Sequence, residues 1–384
     1  MKPVHIASTF LVAFSALLQP AVRAQTPHAL TPDEGRALAF RRAATLTDGV
    51  SASGWFGGWG DYSEEHTSTW MTPADFKMMH EMGIRYVRFP LDPALMTHAY
   101  FTPGGMDALW KRIDAAIDEA MNAGLAVDLC VFPRDDYKQQ LASEHGVDEF
   151  IFLWQALAKH FANRDPDRFF FELMNESEMQ DSFRWIGVQS AVVAAIRQID
   201  TQHTIIANGA HWGSLGDLIT TEPISDTDVI YNFHFYEPYQ FTHQGATWGS
   251  PEWLSYKNIP FPATPDQIAA ILKTIPGDNA RYQLFLYGQN GWDKASIKER
   301  LGFAATWGRE HHVPIICNEF GAYRDTAPPD SRARYIEAVR SGLEANGIGW
   351  GMWDWRGNFG LVTHEGDRIV PDPVVVQALG LKMP

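Results

Sequence analysis

Short apolar runs alternate with longer amphipathic stretches along most of the chain. Strand-like runs fall at 49–53, 84–89, 125–132, 168–174, 203–207, 229–235, 313–318 and 348–353. Their continuous apolar character reads as strands buried on both faces, as in a parallel sheet covered by helices. Helix-period patterns fill the intervals at 73–82, 106–123, 148–161, 183–199, 297–311 and 331–346, and another precedes the first strand near 32–44. Several begin after Thr, Ser or Asp, whose side chains accept from the free N–H groups of a first helical turn. Gly83, Gly124 and Gly347 each follow a helix and precede a strand, the place of a left-handed C-cap. Eight strands alternating with helices predict a (β/α)8 TIM barrel. Linkers are short and no internal repeat is visible, so a single domain over 25–384 is expected.

One interval breaks the rhythm. Between the sixth and seventh strands lies an extended loop, roughly 236–292, holding Tyr239, Phe241, Trp248, Trp253, Tyr256, Tyr282, Tyr287 and Trp292. Long insertions in compact domains usually carry function. At the C-terminal face of a barrel this one would wall the site, where aromatic planes suit the apolar faces of sugar rings. A self-packed core within the loop is the competing reading. The 14 Trp, 12 Tyr and 23 Phe of the chain pose the same choice between cleft and core.

Charge and cysteine narrow the options. With 46 acidic against 31 basic residues and a net charge of −15, the chain lacks the basic face that nucleic acid needs. A neutral polysaccharide or oligosaccharide partner fits better. Lys2, the apolar run 6–18 and Val22-Arg23-Ala24 form a signal-peptide pattern. Residues 1–24 are therefore expected to be removed, giving a secreted or periplasmic protein. No later run is long enough to span a bilayer, and a monomer is expected. Cys130 and Cys317 sit in separate strand-like runs and read as buried thiols.

Two stretches carry the chemistry. Phe169-Phe170-Phe171-Glu172-Leu173-Met174 runs into Asn175-Glu176, and Val313-Pro314-Ile315-Ile316-Cys317 runs into Asn318-Glu319. Each is a buried strand ending in an amide and a carboxylate, on the fourth and seventh strands. The C-terminal ends of barrel strands hold active sites, and these two face one another across the mouth. Two carboxyl groups across a cleft are the minimal kit for glycoside hydrolysis. A lone Glu after a strand would more often be a surface residue; a matched pair is a stronger signal. The chain contains no phosphate-binding Gly-rich loop, no Gly-x-Ser-x-Gly elbow, and no His-x-His pair on a strand. Neither a metal nor a cofactor is expected.

Asn175-Glu176, Glu319-Phe320-Gly321 and His234-Phe235-Tyr236 resemble the strand-end motifs of glycoside hydrolase family five, the cellulase family of the barrel-glycosidase clan. Residues 49–56, 84–90 and 349–353 resemble that family's first, second and eighth strands. The resemblance implies Glu176 as general acid and then general base, and Glu319 as the nucleophile of a retaining reaction. It implies Asn175 on the sugar 2-hydroxyl, Arg88 near Glu319, Tyr236 bonded to Glu319, His234 lining the pocket and Trp353 as a sugar-stacking floor. Trp212, after the fifth strand, faces the same mouth and is a further candidate contact. Phe132 stands where the family usually has His, Ser177 where Pro is frequent, and Ser51 where Asn is common. The expected function is an endo-β-1,4-glucanase. The alternatives are an exo-acting β-glucosidase or β-1,3-glucanase, a β-mannanase, or a non-catalytic carbohydrate-binding barrel.

Overall fold

The structure is a computed structural model and describes residues 30–58 and 61–384. The expected signal segment lies outside the described residues. Eight parallel strands close into a barrel in sequence order: β1 (Asp48–Ser51), β2 (Tyr86–Leu91), β3 (Ala126–Val131), β4 (Phe169–Glu172), β5 (Ile205–Asn208), β6 (Val229–Phe235), β7 (Ile315–Phe320) and β8 (Gly349–Met352). The (β/α)8 expectation is met, and each of the eight strand-like runs overlaps a strand. Gly83, Gly124 and Gly347 adopt φ of 99°, 95° and 70°, the left-handed conformation expected of them. Among the described residues no helix is long and apolar enough to cross a membrane.

Strand alternation explains how the barrel fills. On β4, Phe169 and Phe171 point outward into the helix layer, and Phe170 and Glu172 point inward. The inward set forms an apolar lower layer of Tyr86, Ala126, Phe170, Ile206, Ile230 and Ile316. One step further along the same strands the inward residues turn polar: Arg88, Asp128, Glu172 and Asn318, all fully buried. The ladder register shifts between Asn232 and His234 and again between Cys317 and Phe320. Such irregularities re-aim side chains next to active sites, and here they flank Glu319.

The insertion is not an open loop. It contains helices Pro265–Leu272 and Asp278–Gln289 ahead of Lys294–His311. The self-packed reading holds for part of its aromatics. Phe241, Tyr256, Tyr287 and Trp292 are buried, with Tyr256 Oη donating to the Ala280 carbonyl at 2.8 Å and Tyr287 Oη to that of Pro260 at 2.6 Å. Tyr239, Trp248 and Tyr282 stay exposed. A hairpin, β9 (Val362–Glu365) with β10 (Arg368–Pro371), follows the barrel and was not expected. Its strands are too short and too exposed to leave an apolar pattern.

The helix Pro32–Ala43 covers the opposite end of the barrel. Thr31 caps it in a reciprocal pair with Glu34. Its last turn carries Arg42, which donates to Asp167 at 2.8 Å and to Thr204 Oγ1 at 2.9 Å, with Asp228 at 3.5 Å. Breaking a buried, hydrogen-bonded charge leaves its partners uncompensated, so Arg42→Ala should cost about 3–5 kcal/mol in urea unfolding. A loss below about 1 kcal/mol, the scale of a surface ion pair, would show that this end closes without Arg42.

Candidate active site

Site geometry starts at the end of β4. Beyond Glu172 the chain runs through buried Leu173 and Met174, and the Asn175 N–H donates to the Val131 carbonyl at 2.7 Å. Glu176 then takes φ of +42°, a left-handed conformation that is uncommon for a residue with a Cβ. Such an outlier persists only where surrounding contacts fix it. Here the Ser177 carbonyl accepts from the Trp212 N–H at 2.8 Å, tying this turn to the one after β5. His211 and Trp212 are themselves at φ of +44° and +57°. Three strained residues thus sit in two joined turns at the barrel mouth.

Arg88 is the hub. From β2, with its side chain fully buried, it donates Nε to Glu172 Oε2 at 2.7 Å and Nη2 to Glu172 Oε1 at 2.8 Å. Nη2 also reaches Asn175 Oδ1 at 2.8 Å, and Nη1 reaches Glu319 Oε2 at 2.6 Å. Tyr236 Oη donates to the other Glu319 oxygen at 3.0 Å. His234 lies between the two carboxylates, with Nδ1 at 3.0 Å from Glu176 Oε1 and Nε2 at 3.6 Å from Glu319 Oε2. Six sequence-derived candidates therefore meet at one place: Arg88, Asn175, Glu319 and Tyr236 in one hydrogen-bonded group, Glu176 and His234 in a second, the two joined by the 3.6 Å His234–Glu319 ion-pair contact.

Trp353 closes one side. It packs with Tyr236, Tyr323 and Phe359, and its ring stacks on Phe132 at 5.6 Å and 19°. Phe132 contributes an apolar edge where the family pattern led to an expected hydrogen-bonding His. A cavity of about 490 Å³ opens beside Glu176 and Asn175, bounded by Phe132, Gly58, Arg134, Asp135, Asp136 and Lys138. Trp212 stands apart from the constellation, half exposed at 51%. Only its backbone joins the Glu176 turn.

Proton affinities follow from these contacts. Burial disfavours the Glu176 carboxylate, but the His234 hydrogen bond and charge, with Lys138 and Arg88 beyond, outweigh it and hold the carboxyl below its ordinary range. Burial lowers His234, but Glu319 and Glu176 more than reverse this, so the imidazole sits above its usual value. Burial lifts Glu319 above its ordinary value, and the nearby Glu176 adds to the lift. His234, Arg88 and Tyr236 pull it back. His234 Nδ1 stands 3.0 Å from Glu176 Oε1, close enough for a proton to pass between them. Arg88 can only donate toward Glu319, which favours the ionised form of that carboxyl.

Among the described residues Glu176, His234 and Glu319 present ligand atoms within 4.8 Å of one another. The Arg88 guanidinium, a fixed positive charge at 2.6 Å from Glu319, opposes a cation there.

Sequence reasoning passed over Glu172 and Asp128, which complete the buried layer under the site. Their signal was present: a carboxylate inside a doubly buried strand is rare unless paired. Lys138 and Arg134 lie on or beside the short helix Asp135–Gln140, and nothing in their spacing aims them at the mouth.

The chain matches the model of the Cellulase (glycosyl hydrolase family 5) family over residues 47–359. It is 29% identical to Endoglucanase 3 of Fibrobacter succinogenes, an alignment covering 75% of this chain but only 46% of that relative. It is 28% identical to Endoglucanase C of Acetivibrio thermocellus, covering 80% of this chain and 90% of the relative. Among solved structures, Thermotoga maritima Cel5A in complex with mannotriose superposes with a TM-score of 0.70 at 25% identity, covering 89% of this chain and 99% of that one. The same enzyme with cellobiose gives 0.68 at 26% identity, covering 89% and 99%. With the family model spanning every barrel strand and both strand-end glutamates, the chain belongs to the cellulase family, glycosyl hydrolase family 5.

Proposed function

We propose that the protein is a retaining endo-β-1,4-glucanase, with Glu176 as acid/base and Glu319 as nucleophile. The observation carrying this reading is the pair of carboxylates at the β4 and β7 ends, with ligand oxygens within 4.8 Å of one another. Retaining hydrolysis needs carboxyl groups about 5–5.5 Å apart, and inversion needs about 6.5–9.5 Å to admit a water. The substrate class draws on relatives named as endoglucanases and on a neighbour crystallised with cellobiose. The mannotriose complex of that neighbour keeps β-mannan as the second reading. Residues 1–24 act as an export signal, and the mature chain works singly outside the cytoplasm.

The steps follow from the contacts. Glu319, ionised and aimed by Arg88 and Tyr236, attacks the anomeric carbon. Glu176 receives the proton held by His234 and delivers it to the leaving oxygen, so that bond cleavage releases a neutral alcohol. Water, deprotonated by Glu176, then hydrolyses the glycosyl ester. Arg88 occupies Asn175 Oδ1. The Asn175 amide N–H is therefore turned toward the sugar, where it donates to the 2-hydroxyl. Trp353 with Phe132 supplies an apolar floor, and Trp212 an exposed plane for sugars beyond the leaving oxygen.

Glu319→Ala should lower kcat on an aryl β-cellobioside by about 10⁴-fold or more, the order seen when a covalent nucleophile is removed. Added azide should restore turnover with an α-glycosyl azide product. Retained activity without azide would remove Glu319 from the role. Glu176→Gln should slow poor leaving groups far more than activated aryl groups; equal losses would contradict an acid/base there.

The pH profile of kcat/KM should be a bell. Activity falls on the acid side as Glu319 protonates, above the ordinary carboxylate range because burial raises it. It falls on the alkaline side as the His234–Glu176 proton is lost, above the ordinary imidazole value. His234→Gln should move the alkaline limb downward; an unmoved limb would place the proton elsewhere. A panel of carboxymethylcellulose, mixed-linkage glucan, mannan and laminarin, with product lengths resolved, separates glucan from mannan and endo from exo action.

A further inference from the structure

Below the mouth lies a charged layer that the hydrolytic steps do not use. Glu172 and Asp128 are fully buried on neighbouring strands β4 and β3. Asn318 Nδ2 donates to Asp128 Oδ2 at 3.1 Å and to Glu172 Oε2 at 2.9 Å. The two buried acids thus share one amide donor, and in a dry interior like charges this close disfavour double ionisation. Glu172 takes Nε and Nη2 of Arg88 in a two-pronged grip, which leaves Nη1 for Glu319 and the second Nη2 direction for Asn175. A planar guanidinium held by two of its nitrogens has no rotation left. The position of every other Arg88 contact is therefore set by Glu172.

We propose that Glu172, backed by Asp128, is a positioning residue that divides the Arg88 guanidinium between Glu319 and Asn175. This rests on the roles given above to those two residues. Glu172 has a second effect, through charge: by neutralising part of Arg88 it keeps Glu319 from becoming too weak a base to attack.

The charge inventory supports this division. Facing Glu172 are Arg88 from β2, Asp128 and Cys130 from β3, His234 from β6 and the Tyr86 phenol. Facing Glu319 are Arg88, His234, Glu176, Tyr236 and Cys317. Burial pushes both thiols and the Tyr86 and Tyr236 phenols upward, so they remain neutral. Burial, reinforced by Glu172, pushes Asp128 well above the usual carboxylate range. Burial opposes the ionised Glu172, but Arg88 outweighs it and holds the carboxyl down. One proton therefore rests on Asp128, and the charge on Glu172. The ionised groups left are Arg88, His234, Glu172, Glu176 and Glu319.

Charge removal at the two positions should then have unlike effects. Glu172→Gln frees positive charge on Arg88 toward Glu319, so the acid limb of kcat/KM moves down by about one pH unit. Loss of one Arg88 hydrogen bond loosens the alignment, so kcat falls roughly 10- to 100-fold with little change in KM. Asp128→Asn replaces a neutral group by a neutral group, and the acid limb stays in place. Infrared spectra of the full chain at neutral pH should show a protonated-carboxyl C=O band that Asp128→Asn removes. A merely structural pair would lower stability in both variants without moving either limb.

An acid limb unmoved in Glu172→Gln, or moved equally in Asp128→Asn, overturns the proposal. Should Glu172→Gln fail to fold, absence of the protonated-carboxyl band from the parent protein overturns it as well. Azide rescue of Glu319→Ala separates the two levels. If rescue fails, the roles of the site fall and this inference with them. If rescue succeeds and the Glu172→Gln limb stays in place, only the inference falls.

Discussion

A guanidinium buried inside a barrel must find negative charge, and the molecule is arranged around that requirement. Arg88 is wholly inaccessible to water, where an unpaired cation would be prohibitive. Its partners come from three different strands or strand ends: Glu172 and Asn175 from β4, Glu319 from β7, and a contact to Cys130 Sγ at 3.3 Å from β3. No pair of adjacent elements could satisfy it. Only a closed barrel brings β2, β4 and β7 to one point, so the ion cluster and the topology depend on each other. An ion cluster of this kind adds little net stability over an apolar core. The apolar layers outside the barrel and below the cluster hold the fold. The cluster fixes where two carboxylates stand.

From that fixed point the mouth is built outward with decreasing rigidity. Glu319 is clamped on both oxygens. Glu176 is held by His234 on one side and by a left-handed backbone on the other, with its side chain a quarter exposed. Trp212 is fixed at the backbone and open at the ring. This gradient matches what the proposed role of each group asks of it. A nucleophile needs one direction of approach. An acid/base must serve a leaving oxygen and then a water. A stacking plane must tolerate successive sugars.

Much of this was legible in the sequence. The strand runs were visible because doubly buried strands tolerate almost no polar residues, and the three glycines after helices marked left-handed caps. The Asn-Glu ends of β4 and β7 exposed the site because a carboxylate breaks an apolar run there. Glu172 and Asp128 broke their runs in the same way but were read as strand interior, since period-two alternation hides a polar inward residue between apolar outward ones. The helix at 278–289 was missed because its exposed face carries Tyr282 and Phe285, which blur the amphipathic pattern, and the one at 265–272 because it is only eight residues long. The strained backbone of Trp212 has no sequence signature, since the chain uses His and Trp where glycine would be easy.

The claim on which the rest depends is that Glu319 forms a covalent bond to the sugar. An activated 2-deoxy-2-fluoro-β-cellobioside slows both steps but leaves a good leaving group, so a glycosyl ester should accumulate. Mass mapping of the digested protein should find the fluorosugar on the peptide containing Glu319, and the released product of an ordinary substrate should keep the β configuration. A label on Glu176, or an α-configured product with no labelled peptide, would contradict the account.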